Sequence, residues 1–115
     1  VANNNHTQPQ GNGSVALNKY NAYYVGNPNE KKIYLTFDEG YENGYTSKIL
    51  DVLKAKNVKA AFFVTKPYIE SDPELVKRMV AEGHIVGNHS VKHLSSPTLS
   101  DSQLKNELTE TAQAI

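Results

Sequence analysis

The stretch Ile33-Tyr-Leu-Thr-Phe-Asp38-Glu39-Gly40 decides how the chain is read. Lys32 to Phe37 reads as a strand whose residues after Lys32 are β-branched, aromatic or apolar, as inside a covered sheet. The run then stops on two adjacent carboxylates and a glycine. A second apolar run, Ile85 to Gly87, leads into Asn88-His89-Ser-Val-Lys-His93, with two histidines four residues apart. Carboxylates after one strand and histidines after another suit a metal site on an α/β scaffold, provided that both ends lie on one rim.

The segments between these runs supply the scaffold. Thr46 is placed to cap a helix over 47–56, with Ile49, Leu50, Val52 and Leu53 as its apolar stripe and Asn57 at its C-terminal stop. Ala60 to Val64 reads as a short buried strand that Pro67 ends. Ser71-Asp-Pro-Glu74 has capping-box spacing with a proline in the first turn, so the next helix buries Leu75, Val76, Met79 and Val80 and ends at Gly83. Ser100 and Gln103 form a second capping box, Leu99 and Leu104 have staple spacing, and the last helix presents Leu104, Leu108, Thr111 or Ala112, and Ile115.

The order β-α-β-α-β-α with short connections predicts parallel strands joined by right-handed crossovers. In such architectures sites form at the carboxyl ends of the strands. Asp38, Glu39 and His89 all follow or close a strand at that end, so they are expected on one rim. Taken alone, a bare His-x-x-x-His is more often chance spacing on a surface loop, and an Asp-Glu pair a solvated strand end. Their shared rim favours a metal site of two imidazoles and one carboxylate, with a second carboxylate free to act as general base. His84 precedes its strand, on the opposite edge, and reads as structural. Tyr41, Glu42, Asn43 and Tyr45 flank the acidic pair and can line a polar groove or be plain loop.

Bulk properties bound the remaining classes. The chain has 115 residues, one small domain's worth, of which 38% are hydrophobic. Its first 31 positions form a polar lead-in, with Val1 to Ser14 rich in Asn, Gln and Gly and read as a disordered or surface-draped arm that includes His6. Val15 to Val25 carries three tyrosines for packing outside the domain, and Gly26-Asn-Pro-Asn29 is a turn. Twelve basic and twelve acidic residues cancel, giving no sign of a nucleic-acid partner. The absence of cysteine excludes disulfides and thiolate chemistry. No run is long enough for a membrane span.

With the motifs in place, the chain resembles the polysaccharide deacetylases of carbohydrate esterase type, the NodB homology domain. Thr36-Phe-Asp-Glu-Gly40 resembles their first motif, usually Thr-Phe-Asp-Asp-Gly, and His89-Ser-Val-Lys-His93 their second. Ala60-Ala-Phe-Phe-Val64 and Glu82-Gly-His-Ile-Val-Gly-Asn88 are also typical, and the resemblance runs from about Tyr20 to the end. Phe37 to Thr46, with Tyr23-Tyr-Val-Gly-Asn27, is similar to the bacillar N-acetylmuramic acid deacetylases that prepare muramic δ-lactam in spore cortex. The resemblance implies an α/β fold, the amino-terminal half of a deformed (β/α) barrel, over 32–115. It implies hydrolysis of N-acetyl groups on peptidoglycan or a related N-acetylated glycan, by an exported protein of the cell wall or spore cortex.

Residue by residue, the resemblance makes Asp38 the catalytic base and His89 and His93 metal ligands. Glu39 stands where the family has a ligand Asp, one methylene shorter. The expected cofactor is a divalent metal, zinc first, with manganese, cobalt or magnesium as alternatives. The family's later motifs, including the one that supplies the general acid, are not in this sequence. The chain alone is therefore expected to have weak or no activity, with oligomerisation or element swapping as a way to cover an incomplete barrel. The alternatives are a non-catalytic metal- or glycan-binding module and a deacetylase of another N-acetylglucosamine polymer. A receiver-type domain fits less well, because it needs an Asp where His89 stands.

Overall fold

The computed structural model describes residues 20–22 and 26–115. The readings of His6, of the polar arm and of most of Val15 to Val25 fall outside the described residues. The chain divides into two compact units, Val1–Ile33 and Tyr34–Ile115. In the first, the expected turn closes around Asn27. Its Oδ1 accepts the Asn29 N–H at 3.0 Å, and its carbonyl accepts the Glu30 N–H at 3.1 Å.

The second unit alternates strands and helices. In order they are β1 (Thr36–Glu39), α1 (Thr46–Ala55), β2 (Ala61–Val64), α2 (Lys66–Ser71), α3 (Pro73–Ala81), β3 (Ile85–Asn88), a 3-10 turn (Ser96–Thr98) and α4 (Asp101–Ala114). The three strands form one parallel sheet in the order β1-β2-β3, as the sequence pattern predicts. The register is even: Asp38, Phe63 and Gly87 form one row, and Glu39, Val64 and Asn88 the next. Strand parity then divides the sheet into two faces. Phe37, Phe62 and Val86 share a face with the Glu39 row, and the core gathers there: Phe62, Val64, Leu50, Tyr68 and Met79 are fully buried. Phe37 stacks on Phe62 with ring centroids 5.0 Å apart.

Both helix ends read from the sequence are Schellman-type stops. Asn57 takes φ 52°, and the Val58 N–H reaches back to the Leu53 carbonyl at 2.9 Å. Gly83 takes φ 79°, and the His84 N–H bonds the Met79 carbonyl at 3.0 Å. Gly87 is needed for a different reason. A Cβ there would lie 2.6 Å from the Phe63 ring in the same row.

Several local expectations are corrected. β1 begins at Thr36, not Lys32, and it is an edge strand among the described residues; Ile33 and Tyr34 are exposed, and burial along β1 only alternates. Thr46 is the first residue of α1, not its cap. Pro67 does not end structure but opens α2, whose cap Thr65 accepts the Tyr68 N–H at 3.4 Å. The Ser71/Glu74 capping box does not form, because Ser71 closes α2 and its hydroxyl bonds Asp72 at 2.6 Å. Val52 and Val80 are exposed, on the outer flanks of their helices. The Ser100/Gln103 box is present. α4, however, turns Leu104, Glu107, Thr111 and Ala114 inward, while Leu108 and Ile115 are half exposed.

Candidate active site at the strand ends

The carboxyl ends of the three strands are level, and the ladder continues one residue past them. The Thr65 N–H bonds the Glu39 carbonyl at 3.1 Å, and the His89 N–H bonds the Val64 carbonyl at 3.0 Å. His89 follows Asn88, so parity returns it to the face of Asp38. Its Nε2 lies 4.0 Å from Asp38 Oδ2, too far for a hydrogen bond. His93 completes the pair: the two imidazoles sit with centroids 4.5 Å apart, tilted by 56°. Asp38, His89 and His93, far apart in sequence, thus meet at one place on the rim. Imidazole nitrogen and carboxylate oxygen are donor types that zinc and similar divalent ions take.

Glu39 is placed differently. It belongs to the Val64 and Asn88 row, on the opposite face from Asp38. Among the described residues no three His, Cys, Asp or Glu side chains gather closely enough to hold a metal. Neither Asp38, His89 and His93 nor the expected ligand set of His89, His93 and Glu39 forms such a group. Burial first, then the charges of Glu42 and Asp38, raise the Glu39 pKa above the ordinary carboxylate value.

The residues after β1 form a cleft of about 350 Å³ lined by Asp38, Glu39, Tyr41, Glu42, Asn43 and Tyr45 among others. Tyr41 and Tyr45 are 78% and 61% exposed. Glu42 has a further task. One carboxylate oxygen accepts the N–H groups of Tyr45 at 2.9 Å and Thr46 at 3.3 Å, and the other accepts the buried Tyr68 hydroxyl at 3.1 Å. It serves as the cap that α1 lacks at Tyr45. Hydrogen bonds from Thr46 hold the Glu42 pKa below the usual carboxylate range. Burial drives the Tyr68 hydroxyl's pKa well up, keeping it a neutral donor.

His84 takes no part in the rim. It is buried, its Nδ1 accepts the Ala60 N–H at 3.2 Å, and burial lowers its pKa. The neutral ring is a structural acceptor, in keeping with its reading from sequence.

Two further residues hold the histidine loop, Asn88 from within the Glu82 to Asn88 stretch and Glu107 from outside every motif. Asn88 donates from Nδ2 to the Leu108 carbonyl at 2.7 Å and accepts the Ser90 N–H at 2.8 Å. Glu107 accepts the N–H groups of Val91 and Lys92. Glu107 lies off the expected Leu104 and Leu108 stripe of the last helix, so no periodicity in the sequence points to it.

Comparison with known proteins agrees with this architecture. Residues 25–115 match the family model for polysaccharide deacetylase. The chain is 50% identical over 106 residues to the peptidoglycan-N-acetylmuramic acid deacetylase PdaA of Bacillus subtilis, covering 90% of the chain and 40% of that protein. It is 36% identical over 99 residues to a peptidoglycan-N-acetylglucosamine deacetylase of Bacillus cereus, covering 86% of the chain and 36% of that protein. The solved structure of Bacillus subtilis PdaA, described as a family 4 carbohydrate esterase, superposes with a TM-score of 0.82, covering 87% of this chain and 43% of that one. The chain belongs to the polysaccharide deacetylase family. It spans well under half the length of the curated relatives it matches.

Proposed function

We propose that the chain carries the base and the metal-binding histidines of a peptidoglycan N-deacetylase, with N-acetylmuramic acid as the first-choice sugar and muramic δ-lactam as the downstream product. The observation that supports this most directly is the meeting of Asp38, His89 and His93 on one rim. The sugar assignment leans on the likeness to a protein named as an N-acetylmuramic acid deacetylase.

His89 and His93 would hold a divalent ion, zinc first. Bound there, the ion supplies Lewis acidity, which polarises an acetyl carbonyl and makes nearby water more acidic. Asp38 accepts the proton of the water that attacks the carbonyl carbon, and it is exposed enough to meet that water from the cleft. Cleavage of the C–N bond leaves acetate and a free amine on the sugar. Tyr41, Asn43 and Tyr45 line the cleft as a sugar groove, whereas Glu42 shapes it from within. The resemblance puts the acid that protonates the leaving amine in a later motif, so the chain alone should release little acetate. The substrate lies in the cell wall or spore cortex, which makes the working protein an exported one.

The test is acetate release from N-acetylmuramyl glycan and from N-acetylglucosamine polymers by a longer protein that contains this chain. Asp38→Asn should lower the rate by about 10²–10⁴-fold, the usual worth of general-base catalysis, with metal content unchanged. Unchanged release by Asp38→Asn would remove Asp38 from the reaction. Glycan binding without any release would replace the enzyme reading by a binding module.

A further inference from the structure

The loop that carries both histidines is held from outside its own motif. It connects β3 to the 3-10 turn with no helix or strand of its own between Asn88 and Ser96. Ser90 and His93 take φ 66° and 53°, the left-handed region that side-chain-bearing residues avoid. Such a backbone persists only where its surroundings determine it. Two internal contacts help, the Ser90 N–H on Asn88 Oδ1 at 2.8 Å and the His93 N–H on Ser90 Oγ at 3.0 Å. From outside the loop, the Lys66 N–H of α2 reaches the Ser90 carbonyl at 3.4 Å, and α4 supplies shorter bonds. A single Glu107 oxygen, Oε2, accepts the Val91 N–H at 3.1 Å and the Lys92 N–H at 2.7 Å. These are the peptide groups midway between the two imidazoles. Asn88 ties the start of the loop to the next carbonyl of the same helix, that of Leu108.

We propose that Glu107 is a positioning residue for the metal site, fixing the separation and tilt of His89 and His93 through the backbone between them. The inference rests on the reading of those histidines as metal ligands. Glu107 touches neither ring, and its reach from α4 is what matters: Asp at this position is one methylene short, while Gln keeps a carbonyl acceptor at the same distance. Partners that orient ligands typically contribute 10–100-fold in metal affinity.

The test uses the full chain and four variants. Cobalt uptake is followed by its visible absorption and zinc uptake by calorimetry, with hydrogen exchange at the Val91 and Lys92 amides measured in the metal-free protein. Glu107→Ala and Glu107→Asp should weaken metal binding by about 10–100-fold and speed exchange at those two amides. Glu107→Gln should restore both to within a few-fold of wild type. Glu110→Gln, on the same helix but paired with Lys66 at 2.9 Å, should change neither. If Glu107→Ala does not fold, Glu107→Asp against Glu107→Gln decides, because both keep the helix polar at that position. Wild-type affinity in Glu107→Asp, or equal loss in Glu107→Gln, overturns the inference alone. A wild-type chain that takes up neither metal overturns the metal reading and this inference with it.

Discussion

The two halves of the rim are built by opposite means. Asp38 and Glu39 end a strand at the edge of the described sheet, and the loop beyond them is held where Thr65 Oγ1 donates to the Gly40 carbonyl and where Glu42 gathers two helix N–H groups and a buried hydroxyl. His89 and His93 come after the other outer strand, but their loop is sewn to α4 by Glu107 and Asn88. Each half thus relies on one carboxylate that accepts backbone N–H groups. The difference is in what is held. Glu42 fixes the start of a regular helix, whose backbone angles are allowed to L-residues without strain. Glu107 fixes a strained turn with two left-handed residues, which has no such preference of its own.

Two substitutions sharpen that contrast beyond the Glu107 series. Glu42→Ala removes the cap of α1 and strands the Tyr68 hydroxyl, which has 0% exposure at the residue level. Urea unfolding should show a loss of about 1–3 kcal/mol, the range for a lost cap and a buried donor left without its partner. The cost should also depend on pH. Because the folded state lowers the Glu42 pKa, its stabilisation is present above the ordinary value of 4.5 and fades as pH falls through the lowered one. An unchanged midpoint at pH 7 would show that the cap is made by something other than Glu42.

Glu39→Gln should have the smaller effect and the opposite sign. Burial raises the Glu39 pKa, so the ionised form opposes folding, and stability falls as pH rises from 4.5 through the raised value. In the metal-free chain Glu39→Gln should therefore be more stable than wild type at pH 7. The gain should vanish below pH 4.5, where both states carry the proton. A loss of stability at neutral pH, or a gain that persists in acid, would place Glu39 in a favourable contact that its row in the sheet does not provide.

Much of this is legible in the residues because strand parity and strand-end placement are local rules. Apolar runs ending on Asp38 and before His89 are enough to bring the two to one rim, and Asn57 and Gly83 announce their helix ends. Glu39 is harder, because adjacent residues read as a pair in sequence but lie on opposite faces in a strand. α2 is easily passed over when Pro67 is taken as a breaker, although Thr65 with a proline two residues on is equally a helix start. The inward face of α4 is displaced from the expected stripe, since Leu104, Leu108 and Ile115 outrank Glu107 in hydrophobicity. What places Glu107 inside is a hydrogen-bonding need of the loop at 91–92, and no periodicity rule carries that information. Ile33 and Tyr34 are apolar and exposed because the described residues include no strand beyond β1.

The central claim is that His89 and His93 form one half of a metal centre whose other half is the base Asp38. It is tested most directly by an anomalous-scattering map of zinc-soaked crystals of the chain. The expected result is one strong peak about 2.0–2.1 Å from a ring nitrogen of each histidine, on the Asp38 side of the sheet, and no peak in His93→Ala. A peak held by Glu39 and Glu42 on the other face, or none at either histidine, would contradict it.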